Sequence, residues 1–121
     1  MLYIEIAETP HELEQGLMYR KKLSFDWGML FKMGNTGPLN FWGKNTFIPL
    51  DIAFIKENGI ISKIDRIRPL DITIVTSDED CSMALEVNKG YFKYNNINVG
   101  DKIIFDNNEN FDVILFEKCE G

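Results

Sequence analysis

The sequence has few of the residues that metal sites and nucleophilic triads require. It contains one histidine, His11, and two cysteines, Cys81 and Cys119, which lie far apart without a Cys-x-x-Cys pair. A zinc site on His11 would lack nitrogen partners, and the start of a helix is a poor position for the histidine of a triad. No phosphate-binding glycine loop or dinucleotide fingerprint occurs. We predict no metal and no cofactor, and we assign the cysteines no chemistry.

Long apolar runs and an excess of positive charge are also missing. The longest uncharged apolar runs, such as residues 28–31 and 113–116, span only a few residues, whereas a membrane helix needs about 20. Nineteen acidic residues outnumber thirteen basic ones, which gives a formal charge of -6. Because this charge opposes binding that rests on phosphate neutralisation, we predict no nucleic-acid partner and no membrane insertion.

The N-terminal residues show no basic region followed by an apolar block, as a secretory signal would. This pattern predicts a cytoplasmic protein; the alternative is an exported protein whose signal has been trimmed. The 121 residues, 45% of them hydrophobic, fall near the usual size of one domain. No repeat or long linker divides them, so we predict a single soluble domain over residues 1–121.

One helix is predicted near the N-terminus. Thr9 suits the N-cap, a proline follows at the first helical position, and Glu12 falls where a capping box places its acid. The helix is expected over about residues 10–20, with leucines four apart facing the core. Gly16 within it indicates close approach to another backbone.

The rest of the chain has the period-two pattern of strands. Turn signals separate the runs, and only one helix is available for a crossover connection. The predicted fold is therefore mostly β, a compact antiparallel β barrel or sandwich with one N-terminal helix packed on it. Residues 90–95 are predicted as a helical turn or loop whose aromatics cover the core. The predicted strands are residues 29–33, 50–55, 60–67, 72–76, 83–88, 102–106 and 111–117.

A turn near the C-terminus partly matches a calcium loop. Asp106, Asn108, Asn110 and Glu117 occupy ligand positions, but the sixth position, which needs glycine, is Phe111. Alternating strands flank the segment where helices should lie. We therefore favour a hairpin turn rich in Asx residues over a calcium site.

The stretch FWGKNTFIPLDIAF, residues 41–54, places Lys44, Asn45, Thr46 and Asp51 among apolar residues. Alternation puts Asp51 on a face with apolar neighbours, so its carboxylate needs hydrogen-bond donors. We favour the interpretation that Asp51 bonds the loop at residues 44–49 and fixes its turn. The alternative is a carboxylate with a shifted pKa beside Lys44.

Glu86 has a similar position in a strand, on the face of Ala84 and Asn88 rather than on the apolar face. It is a candidate partner for Lys44. If Asp51 and Glu86 met, two paired carboxylates could act as acid and base.

Short motifs in a fixed order resemble the domain of unknown function 192 family over nearly the whole chain. The resemblance implies a compact β barrel or sandwich with a packed helix, and no established activity. That family commonly has methionine where this chain has Gly43, a change expected to open a pocket or loosen packing. The motifs are Gly16-Leu17-Met18 with Arg20, Gly28 to Phe31, Phe41-Trp42, Lys44-Asn45-Thr46, Ile48 to Asp51, Leu85 to Asn88 with Gly90, and Gly100-Asp101. The shared surface that the resemblance implies comprises Met29, Trp42, Lys44, Asn45, Thr46, Pro49, Asp51 and Glu86.

Three functions are compatible with these residues. We favour a small-ligand binding or accessory module in which Trp42 forms an apolar wall and polar side chains orient the ligand. The first alternative is an enzyme with Asp51 or Glu86 as acid or base and Lys44 stabilising negative charge. The second is a non-catalytic protein-interaction domain. The catalytic residues and the ligand stay unassigned, and the candidate ligand-binding residues are Met29, Trp42, Lys44, Asn45, Thr46, Asp51 and Glu86.

Overall fold

Nine strands and two short helices make up the architecture in a computed structural model, which describes residues 1–107 and 110–120. The chain is mostly β, as predicted. None of the helices in these ranges is long and apolar enough to cross a membrane. The elements are β1 (Leu2–Ala7), α1 (Pro10–Gln15), β2 (Trp27–Gly37), β3 (Asn40–Phe41), β4 (Leu50–Ile55), β5 (Ile61–Ile67), β6 (Val75–Thr76), β7 (Cys81–Asn88), α2 (Tyr91–Tyr94), β8 (Lys102–Asn107) and β9 (Asp112–Glu117).

Seven strands form one mixed sheet in the order β5-β4-β7-β2-β1-β9-β8, and β3 pairs with β6 in a small second sheet. The predicted fold class is confirmed, with one parallel pair, β1 and β2, among antiparallel ones. This pair is parallel because α1 lies in the connection between its strands. The large sheet curls into a half-barrel. Its two edges come together at the start of β5 and the start of β8, where the Ile61 amide donates to the Asp101 carbonyl at 2.9 Å.

Helix α1 begins as predicted and ends five residues earlier than the predicted boundary. The Thr9 hydroxyl accepts from the Glu12 amide, and the Glu12 carboxylate accepts from the Thr9 amide. The helix stops at Gly16 because this glycine adopts a φ of 50°, a conformation that costs other residues energy. A Cβ atom on Gly16 would lie 3.0 Å from the Phe31 ring, so the close neighbour is a side chain instead of the expected backbone.

Replacing Thr9 with alanine is expected to lower the free energy of unfolding by about 1 kcal/mol, because the Glu12 amide loses its acceptor. Urea denaturation would measure the change. Thr9→Ser is the matched control, since serine keeps the hydroxyl oxygen and should stay within about 0.5 kcal/mol of wild type. Equal losses in both variants would contradict the capping role.

The two faces of the large sheet carry separate apolar clusters. Residues directly opposite on paired strands share a face, and successive residues alternate between faces. One face, which we call the α2 face, is covered by the buried Tyr91 and Phe92 of α2, as predicted, whereas the third aromatic of residues 90–95, Tyr94, is exposed. The other, the α1 face, packs under Leu17 and the segment after α1. Glu86 lies on the α1 face, and Asp51 on the α2 face.

The predicted strand at residues 72–76 is present only as β6, and Ile72 and Ile74 are exposed. Their segment is bound to another loop, since the Asp71 carbonyl accepts from the Gly43 amide at 2.7 Å. Strands β8 and β9 pair antiparallel on either side of the Asx-rich turn, which is the hairpin arrangement we favoured over a calcium loop. Asn108 and Glu109 of that turn lie outside the described residues.

Candidate functional site

A cavity of about 440 Å³ opens on the α1 face between β7, the segment after α1 and the loop after β3. We call it the Glu86 cavity. Its volume lies within the usual range for small-molecule sites, about 300–1,000 Å³. The apolar part of its wall includes Leu17, Phe31, Met33 and Phe41. The polar part includes Tyr19, Lys44, Asn45, Thr46 and Glu86.

Glu86 is the buried polar group of this cavity. Its side chain is only 5% exposed, and within the described residues its carboxyl group makes no hydrogen bond or ion pair. No fully enclosed side-chain oxygen in the described part of the chain lacks a partner, so the unpaired oxygens of Glu86 border the cavity space. Burial raises the pKa of Glu86 to about 8, because a carboxylate loses hydration there without gaining a donor.

Two residues with left-handed backbones hold the cavity rim. Tyr19 has a φ of 67° and Asn45 a φ of 55°, a region that non-glycine residues rarely occupy. The Tyr19 amide donates to the Asn45 carbonyl at 2.8 Å, and the Asn45 side-chain amide donates to the Tyr19 hydroxyl at 2.9 Å. These bonds join the segment after α1 to the loop after β3, and such strained positions often cluster at binding sites.

Trp42 and Lys44 stand side by side at the same opening. Trp42 is 39% exposed, and the Lys44 ammonium lies 5.2 Å from the centroid of its indole ring, a distance that suits a cation–π interaction. Lys44 makes no ion pair within 4.0 Å among the described residues, so it is not the salt-bridge partner of Glu86. Lys44 and Glu86 nevertheless line the same cavity.

Asp51 lies away from this cavity. In the register of β4 and β7, Asp51 is opposite Val87 and Ile52 is opposite Glu86, so the two carboxylates point to opposite faces. The Asp51 carboxylate accepts from the Gly90 amide at 2.8 Å and lies 4.0 Å from the Arg66 side chain. The hypothesis of paired carboxylates is therefore wrong, and so are the predictions that Asp51 bonds the 44–49 loop or pairs with Lys44.

The backbone around Gly43 is packed against residues 68–71. A Cβ atom on Gly43 would lie 2.0 Å from the Arg68 carbonyl oxygen. Gly43 is buried and does not line the Glu86 cavity. The expectations of an opened pocket or looser packing at Gly43 are wrong, because the missing side chain makes room for a second loop. Thr46, also buried, helps to hold that loop through its carbonyl, which accepts from the Leu70 amide at 3.0 Å.

Met29 and Pro49 support the site without lining it. Met29 lies directly opposite Glu86 on the neighbouring strand and is 6% exposed, so it packs beside the carboxyl group. The Pro49 carbonyl accepts from the Lys89 amide at 3.0 Å. The lining residues absent from the predicted set include Tyr19, Phe31, Met33 and Phe41. The sequence signal for Tyr19 was Gly16, because a glycine that ends the helix places Tyr19 in a loop.

Residues 1–105 match DUF192, the family described as "Uncharacterized ACR, COG1430". A crystal structure from Sinorhizobium meliloti 1021, named as a candidate transcription regulator, is 41% identical with a TM-score of 0.82, covering 84% of this chain and 79% of that one. A protein of unknown function from Novosphingobium aromaticivorans DSM 12444 is 34% identical with a TM-score of 0.79, covering 82% and 71%. No curated protein sequence matches.

Proposed function

The chain belongs to the DUF192 family, described as uncharacterised, and from the geometry of its own residues we propose that it is a small-ligand binding module. The observation that carries the proposal is Glu86, a residue only 5% exposed whose carboxyl group is unpaired within the described residues and bordered by cavity space. An unpaired buried carboxyl group costs stability. A ligand that hydrogen-bonds it would recover part of that cost.

The remaining walls indicate the shape of the ligand. Apolar and polar side chains both line the cavity, so it can hold an organic molecule that carries apolar and polar parts. Trp42 offers an exposed indole face, and Asn45 offers an amide held in place by Tyr19. We expect a molecule with a flat or apolar body that places a polar group on Glu86 and other polar groups near Lys44 and Asn45.

A regulatory role is compatible with this proposal. The Sinorhizobium meliloti relative is named as a candidate transcription regulator, and a module that senses a small molecule is one form such a role can take. The charge of -6 argues against direct binding of this chain to DNA.

The proposal predicts that a suitable ligand stabilises the protein. A thermal-shift screen of metabolites and sugars at millimolar concentration should find compounds that raise Tm, because a ligand at 100 times its Kd adds about 2.7 kcal/mol to stability. Trp42→Ala should weaken the shift for these compounds. Phe47→Ala is the control, since Phe47 is an exposed aromatic residue close in sequence that does not line the cavity. The absence of any shift, or equal shifts in both variants, would contradict the proposal.

A second candidate function is acid–base catalysis by Glu86 alone. The observation that favours it is the raised pKa, about 8, because a carboxyl group that titrates near neutral pH can both donate and accept a proton. Asp51 takes no part, since it lies on the other face. Glu86→Gln should bind compounds found in the screen; if wild type converts one of them and this variant does not, the module is an enzyme.

A further inference from the structure

A second groove, of about 650 Å³, lies on the α2 face near Asp51. We call it the basic groove, because its lining includes Arg66, Arg68, Lys89 and Lys93. These are four of the thirteen basic residues of a chain whose net charge is -6. Positive charge is therefore concentrated here against the overall balance of the protein.

The acidic residues of the basic groove already have partners. Asp51 accepts from the Gly90 amide and lies 4.0 Å from Arg66. Asp65 lies 3.5 Å from the ammonium group of Lys63, which is outside the groove. Among the described residues, the remaining three cations, of Arg68, Lys89 and Lys93, have no carboxylate within 4.0 Å. These three cations remain available to an anion from solution.

The apolar side chains of the groove restrict the kind of anion. Ile64, Phe92 and Ile97 line it, and Phe92 and Ile97 belong to the apolar cluster of the α2 face. A bare inorganic anion would use only the cations. Phe92 and Ile97 are already buried, whereas Ile64 is partly exposed, so a molecule with an apolar body would gain by covering Ile64.

We infer that the basic groove binds a small molecule in which a phosphate or carboxylate group is attached to an apolar body. The anionic group contacts Arg68 and Lys93, and the body lies against the partly exposed Ile64. This site is independent of the proposed function of the Glu86 cavity, because the two openings share no lining residue and lie on opposite faces of the sheet.

The inference can be tested by NMR titration of the ¹⁵N-labelled protein with phenyl phosphate, benzoate and inorganic phosphate at about 0.1 M ionic strength, where the Debye length is about 10 Å. Phenyl phosphate or benzoate should shift the amide signals of residues 66–68 and 89–93 saturably and bind at least about threefold more tightly than inorganic phosphate, since burial of an apolar body adds to charge attraction. The tighter of these two aromatic anions identifies the anionic group.

Paired variants separate a built site from general charge. The double variant Arg68→Gln, Lys93→Gln should weaken binding of the tighter aromatic anion about tenfold, the loss expected when two charge-assisted contacts are removed. The control double variant Lys21→Gln, Lys22→Gln removes the same charge from exposed residues that do not line the groove. Because salt screens charges outside the groove, this variant should change the affinity less than about twofold. Equal weakening in both double variants, no saturation by either aromatic anion, or equal affinity for inorganic phosphate would overturn the inference.

Discussion

Replacing Gly43 with alanine is expected to lower the free energy of unfolding by at least about 3 kcal/mol, a large effect for one methyl group. The added Cβ would lie 2.0 Å from the Arg68 carbonyl oxygen and 3.0 Å from that of Asp71. Both neighbours are backbone atoms, which cannot rotate away as a side chain can. The Gly43 amide also donates to the Asp71 carbonyl at 2.7 Å, so separating the loops would break this bond.

Gly37→Ala is the matched control for this experiment. Gly37 lies at the end of β2, has no positive φ, and an added Cβ would meet nothing within 4 Å. Alanine there should be neutral or stabilise by up to about 1 kcal/mol, because it restricts the unfolded chain. Urea denaturation of both variants would measure the difference. Similar stabilities would show that residues 68–71 lie farther from Gly43 than the structure places them.

The expected loss of stability at position 43 also concerns the residue that the DUF192 family commonly has there. Methionine, the residue that the resemblance places at position 43, has a longer side chain than alanine and should be tolerated no better in this chain. Gly43→Met is therefore expected to destabilise this protein even though it restores the common residue of the family.

Glu86→Gln is expected to make the protein more stable than wild type at neutral pH, by roughly 3 kcal/mol at pH 7. The pKa of Glu86 is about 8 in the folded protein, against an ordinary value of 4.5. Between these two values the unfolded chain loses its proton while the folded protein keeps it, so rising pH favours unfolding. The stability present below about pH 4.5 is lost progressively up to about pH 8, by about 1.4 kcal/mol per pH unit.

The difference in the free energy of unfolding between Glu86→Gln and wild type isolates the contribution of the Glu86 carboxyl group. Glutamine has the shape of a protonated glutamate and cannot ionise, so Glu86→Gln should match wild type near pH 4.5 and exceed it increasingly above that value. Chemical denaturation at pH 4.5, 6, 7 and 8 would measure the difference. Glu14→Gln, which removes an exposed carboxylate from the same cavity, is the control for the loss of one negative charge. A constant difference for Glu86→Gln would mean that Glu86 has a partner that stabilises its charge.

Stabilisation of the protein by Glu86→Gln would also indicate why the chain has a glutamate at this position. A group that serves folding usually costs stability when it is replaced, whereas a group kept for binding or catalysis is often neutral or stabilising to replace. Stabilisation by Glu86→Gln would thus support a functional site in the Glu86 cavity without any knowledge of its ligand.

Local sequence patterns were sufficient for much of the secondary structure. Alternation at residues 50–55 predicted β4 with its observed limits, and Thr9 with Glu12 predicted the start of α1. The same alternation placed Asp51 and Glu86 on the correct faces of their own strands. These features depend on residues close together in the chain, whose periodicity and capping act locally.

Pairing between distant segments could not be read from the sequence. Three features join segments that no local pattern connects. They are the parallel pairing of β1 with β2, the close approach of Gly16 at the end of α1 to Phe31, and the contact of Gly43 with Arg68. For the same reason the sequence allowed Asp51 and Glu86 to meet, while the register of β4 against β7 separates them.

The sequence by itself determined a mostly β chain, a capped first helix, the acidic charge and the polar residues around which a site could form. Only the tertiary structure decided that Glu86 lies in a cavity with Trp42, Lys44 and Asn45, without a partner among the described residues, while Asp51 belongs to the opposite face. The physical reason is that the burial and pKa of a carboxyl group depend on side chains brought from several strands and loops. Those neighbours are set by strand register and loop packing, which act across the whole chain.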